Sequence, residues 1–179
     1  NLKKMFTSED TFKNLTLYKT TYNTFTKSWG TPTSYGILPE DQWYSADMES
    51  YEAVYDWGTA RFCVKKEGSA PVLYALDTTS TKMTAPRTTK VGMSGEDVMA
   101  KFRDLGQAAL NDTGDRLLYN WNSANQQFGT YRSQDDGTFV IHYYDPVDEK
   151  ANIFVELSYY LDADGNVKRI VWQRYLSET

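Results

Sequence analysis

Residues 152–176 read NIFVELSYYL, then DADGN, then VKRIVWQRYL: two arms rich in β-branched and aromatic residues on either side of Asp162-Ala163-Asp164-Gly165-Asn166. Side chains of that kind fit a pleated, half-buried surface, and an Asp/Gly/Asn cluster between two such runs reverses the chain. Asn152–Leu161 and Val167–Leu176 are therefore expected to pair antiparallel. In the second arm Ile170, Trp172 and Arg174 share one face while Val171, Gln173 and Tyr175 share the other, so neither face is purely polar. Either a second element covers the far side, or the far side carries an exposed aromatic platform.

Working outward, the same chemistry recurs. Phe128–Ser133 and Thr138–Tyr144 flank Asp135-Asp136-Gly137, and Arg116–Trp121 precedes them. In the first half, Tyr51–Trp57, Ala60–Glu67 and Pro71–Thr79 read as strands, with hairpin loops at Gly58-Thr59 and Lys66-Glu67-Gly68-Ser69. Each half also carries a helical stripe before its strands. Tyr18, Tyr22, Phe25 and Trp29 run at spacings of four, three and four and stop at Gly30; Val98, Phe102 and Leu105 follow an N-cap at Ser94 and stop at Gly106. The strand endings Tyr55-Asp56-Trp57 and Tyr119-Asn120-Trp121 match as well.

Composition divides at the same place. Residues 1–90 hold 11 Lys/Arg against 10 Asp/Glu and 16 of the 20 Thr, whereas residues 91–179 hold 8 against 14, and Thr78–Thr89 reads as a linker. The expected fold is α+β: two tandem helix-plus-antiparallel-sheet domains, at residues 1–84 and 85–179, each with its helix covering one sheet face.

One histidine, His142, and one cysteine, Cys63, exclude an internal disulfide, a zinc cluster and a redox pair. The net charge of −5 and the lack of a basic stripe argue against nucleic acid, and no window reads as a transmembrane segment. Asp162-Ala163-Asp164-Gly165-Asn166 opens like a calcium loop, but Gln173 stands where the closing Glu belongs, so a plain turn is expected. His142 lies mid-strand without a nucleophile elbow, and the paired carboxylates all sit in turns. No catalytic residue, metal or cofactor is expected.

The pattern Gly92-Met93-Ser94, Val98, Phe102, Leu105-Gly106, a Tyr-bearing strand and the hairpin Leu161–Val167, preceded by a first copy whose helix ends at Trp29-Gly30 with Thr31-Pro32 right behind, resembles the β-lactamase inhibitory protein-like fold. That fold is shared with small outer-membrane assembly lipoproteins and with secreted or lipid-anchored bacterial proteins of streptococcal type. The resemblance spans about residues 15–176. It implies an extracytoplasmic, non-enzymatic module that grips a protein, possible partners being a β-lactamase or another cell-wall enzyme, on a concave aromatic sheet surface. It also implies a hairpin-loop Asp with an aromatic neighbour as a plug. The expected partner-contacting residues are Tyr55, Trp57, Tyr119, Trp121, Tyr143, Tyr159 and Trp172, since Tyr and Trp dominate interface hot spots. The alternatives are a structural envelope lipoprotein that acts as a scaffold, and a small-molecule-binding protein or hydrolase built around His142.

Overall fold

A computed structural model describes residues 4–102, 115–119, 128–148 and 150–177. Among the described residues nine strands are present: β1 (Ser34–Ile37), β2 (Ser50–Tyr55), β3 (Gly58–Cys63), β4 (Val72–Thr78), β5 (Arg116–Tyr119), β6 (Gly129–Ser133), β7 (Phe139–Asp148), β8 (Ile153–Leu161) and β9 (Val167–Leu176). They form one antiparallel sheet in the order β1-β2-β3-β4-β9-β8-β7-β6-β5. This overturns the α+β tandem-repeat expectation. The fold is dominated by a single sheet instead of two helix-plus-sheet domains, and the described helices are short: α1 (Tyr22–Trp29) and α2 (Gly95–Met99). The reason lies at β4 and β9. Left apart, each would present an unpaired edge of a strongly apolar strand. Pairing Ala75–Thr78 with Ile170–Gln173 removes both edges and joins strands from the two halves. The expected division between residues 84 and 85 falls after β4 and before α2.

Both helices pack on the same face of the sheet. In α1 the Thr21 side chain accepts from the Thr24 N–H (3.2 Å), and Gly30, at φ +79°, ends the helix. Its buried Phe25 meets Tyr55, Trp57 and Phe62. Tyr18 continues the stripe in sequence but not in structure. Its φ is +68° and its N–H donates to the Leu73 carbonyl (2.6 Å), because residues 18–22 pair with the start of β4 before the helix begins. In α2, Ser94 caps as expected by accepting from the Asp97 N–H (3.1 Å). A Cβ on Gly95 would lie 2.6 Å from Leu161 Cδ1, so glycine lets the helix start sit directly on β8. Leu105 and Gly106 lie outside the described residues. Phe102 stacks on Tyr143 at 4.1 Å, and Phe12 packs on Trp172 at 6.1 Å.

The segment before α1 completes this layer. The buried Asp145 carboxylate accepts the N–H groups of Met5 (2.9 Å) and Phe6 (2.6 Å), while Arg87 bonds both oxygens of Asp10 and the Met5 carbonyl. The stretch expected as a linker is pinned as well: Met83, Ala85, Pro86 and Thr89 are buried. The β2–β3 turn is Asp56-Trp57, and Gly58-Thr59 belongs to β3. The β8–β9 turn is the hairpin read from the sequence, with Asp162 Oδ1 accepting the N–H groups of Asp164 and Asn166 (3.0 Å each).

Candidate functional site

The residues expected to contact a partner lie largely in the core. Tyr55 and Trp57 are 9% exposed, Trp172 4%, Tyr143 1% and Tyr159 0%. All five point toward the helices, where they pack as one cluster with Phe25, Phe62 and Phe102. Tyr119 lies in β5 opposite Gly129, and Trp121 lies outside the described residues. The five buried rings therefore serve packing and do not form an exposed platform. Asp56 stands exposed beside Trp57 at the β2–β3 turn, an acid next to an aromatic, but the indole turns inward against Trp29 and Tyr55.

The opposite face is built by the residues one step along each strand, because side chains alternate with a period of two. Tyr159 opposes Ile170 on the core side, so Tyr160 opposes Arg169 on the open side; likewise Tyr143 opposes Leu157 and Tyr144 opposes Glu156. The Tyr143-Tyr144 and Tyr159-Tyr160 doublets put one ring on each face. The signal that separates them was present in the sequence: Glu156 and Ser158 share parity with Tyr160, whereas Leu157 and Leu161 share it with Tyr159.

Toward one end of the open face, Phe154 contacts Tyr175 (5.9 Å) and Tyr144 (6.5 Å), and all three rings are half-buried. Burial pushes the Tyr144 and Tyr175 phenols above their ordinary range, so both are neutral donors at pH 7. Beside them is a cleft of about 220 Å³ lined by Thr59, Arg61, Asp77, Glu156, Tyr160, Arg169 and Gln173 among others. Arg169 spans the β4–β9 seam, donating from Nε to Asp77 Oδ1 (2.9 Å) and from Nη2 to Oδ2 (2.7 Å), with its guanidinium 4.8 Å from the Tyr160 ring centre. That bidentate bond raises the Arg169 pKa further, so the charge is permanent. Arg61 bonds Glu52 (2.9 Å), and Gln173 bonds Glu156. Two guanidiniums and two carboxylates, Arg61 and Arg169 with Asp77 and Glu156, make the cleft charge-balanced.

His142, Ser158 and Glu156 form a chain on the same face. Ser158 Oγ donates to Glu156 Oε2 (3.1 Å) and lies 2.7 Å from His142 Nδ1, so with its own hydrogen committed it accepts from the imidazole. A hydrolytic triad needs the reverse: a base that takes the serine proton, and a carboxylate on the other side of the ring. Ser158 is also wholly buried. Burial holds His142 below its ordinary value of 6.5, against the opposing pull of Glu156. The trio is a structural ladder across β7 and β8. Cys63 is buried, and burial pushes its thiol up to about 11, which keeps it unreactive at neutral pH.

Fold and face together define the class: a nine-stranded antiparallel sheet clad by helices on one side, with an aromatic and charge-paired surface on the other. Comparison with family models, with curated proteins and with solved structures yields no match for the chain. Among the described residues, no helix is long and apolar enough to cross a membrane.

Proposed function

We propose that the chain is a non-enzymatic binding protein that takes a protein partner on the open face of its sheet. The observation that carries this reading is the composition of that face. Tyr144, Phe154, Tyr160 and Tyr175 stand half-exposed beside Arg61 and Arg169 on rigid paired strands, and aromatic residues and arginine are the residues enriched at interface hot spots. Both described helices pack on the other side; at β3 and β4 Tyr44, Tyr18 and Met48 cover Cys63, Val72, Tyr74 and Ala75 on this face, and the half-exposed groups lie beyond that cover. A cleft with equal numbers of cations and anions suits the mixed surface of a protein better than a polyanion, which requires a basic stripe. The sequence resemblance supports the same class, an extracytoplasmic partner such as a β-lactamase or another cell-wall enzyme.

Photocrosslinking in the native cell tests this. With p-benzoylphenylalanine at Tyr160 or Tyr175, one discrete protein adduct is expected. It should be lost when Arg169→Glu is added, and it should not form from Asn23 on the exposed side of α1. Equal adducts from Asn23, or none from the sheet face, would overturn the reading.

A further inference from the structure

We propose that the cleft between the end of α1 and the β2–β3 turn is a second binding site, for a small sugar that carries an anionic group. Trp29 closes α1 and Trp57 occupies the turn, with their ring centres 5.5 Å apart and tilted by 55°. They line a cleft of about 320 Å³, completed by Lys13, Asp56, Ser80, Lys82 and the buried Met83. That volume is at the small end of ligand pockets, which run from about 300 to 1,000 Å³, and suits a single ring.

The walls are fixed. The Trp57 carbonyl accepts from Thr78 Oγ1 (2.8 Å) and the Thr79 N–H (3.2 Å). A Cβ on Gly58 would fall 2.0 Å from the Asp77 carbonyl oxygen, so the turn has no slack on that side. Lys13 and Asn14, at φ +53° and +65°, form the two-residue turn between Phe12 and Leu15, and the Lys13 ammonium lies 5.0 Å from the Trp29 ring centre.

The polar groups point to the ligand. Lys13 and Lys82 outnumber Asp56 here, a local excess of positive charge on a chain of net charge −5. Among the described residues neither Lys82 nor Asp56 is in an ion pair. Ser80 Oγ accepts the Lys82 N–H (3.1 Å) and keeps its hydrogen to donate. The part-exposed Trp29 ring takes the apolar C–H face of a pyranose while the inward-turned Trp57 backs the cleft, the two ammoniums take its carboxylate or phosphate, and Asp56 and Ser80 take its hydroxyls.

Titration of the ¹⁵N-labelled protein with glucuronate, glucose 6-phosphate, glucose and benzoate, read at the indole N–H signals and by calorimetry, tests the site. At least one of the two anionic sugars should shift the Trp29 and Trp57 signals, and comparing the two tells carboxylate from phosphate. Glucose should bind at least about tenfold more weakly, and Lys82→Ala, at an exposed position, should weaken the anionic sugar by about tenfold, the loss of one charge-assisted contact. Three results overturn the proposal: neither anionic sugar moves the two indoles, Lys82→Ala leaves affinity unchanged, or benzoate binds as tightly as the sugars.

Discussion

Tyr159 and Tyr160 are adjacent in sequence and belong to opposite faces, so truncating each to alanine should give unequal costs. Tyr159 is wholly buried, its hydroxyl 2.7 Å from Thr89 Oγ1 and its ring edge-on to Phe102. Thr89 Oγ1 already donates to the Pro86 carbonyl, so Tyr159 is the donor of the pair. Removing a buried aromatic ring costs about 3–5 kcal/mol in transfer and cavity energy. Tyr159→Phe, which removes the hydrogen bond alone, should cost about 1 kcal/mol. Tyr160 is half-buried and rests against Arg169 at 4.8 Å, so Tyr160→Ala should stay below about 1.5 kcal/mol. Against a typical stability of about 5–15 kcal/mol, Tyr159→Ala removes a large share. Urea unfolding followed by far-UV circular dichroism, with unchanged m-values, measures all three. If Tyr160→Ala costs as much as Tyr159→Ala, the assignment of faces is wrong.

Gly58→Ala should destabilise by about 3 kcal/mol or more, since the added methyl meets the backbone of β4 and φ is +143°; a midpoint within error of the parent in the same urea assay would refute this. Burial holds the folded pKa of His142 down, so between that value and about 6.5 the unfolded chain binds the proton more readily, and stability must fall as pH drops through this window. The limb should flatten in His142→Asn. The chain has a single histidine, so its imidazole C2–H resonance reports the titration unambiguously, and a midpoint above 6.5 would contradict the burial assigned to it. The Arg169–Asp77 side chains are 44% and 34% exposed, so solvent screening should limit a double-mutant cycle on folding to below about 1 kcal/mol, while Arg169→Ala weakens partner binding. A large folding term would make the pair a structural clamp instead of a contact.

Local features were legible in the sequence. The β8–β9 hairpin was readable because an Asp/Gly/Asn turn stands between two runs of β-branched and aromatic residues, and the cap at Ser94 was readable because a small oxygen-bearing side chain before two acids has one usual role. The β4–β9 pairing was not, because nothing in a local pattern says which strand nearly a hundred residues away will cover an edge. The apparent repeat misled for a physical reason. A stripe of apolar residues that stops at glycine is a local pattern, so the likeness of Trp29-Gly30 to Leu105-Gly106 in sequence does not imply two separate sheets; the described α2 itself stops at Met99. The site lies one residue along from the expected rings: the tyrosines that share parity with Leu157 and Leu161 go to the core, and those that share it with Glu156 and Ser158, Tyr144 and Tyr160, lie on the other face with Tyr175. The shift of the first hairpin from Gly58-Thr59 to Asp56-Trp57 was hidden because Gly58, which suggests a turn, is needed in the strand for its close approach to β4.

The open face exists as one surface only if the two halves of the chain share a sheet. Interstrand proton–proton Overhauser contacts test that most directly, between Ala75 and Gln173 and between Asp77 and Val171. Both sets should appear with the intensity of neighbouring antiparallel strands. Their absence, alongside intact β3–β4 and β8–β9 contacts, would contradict the single sheet and the binding face built on it.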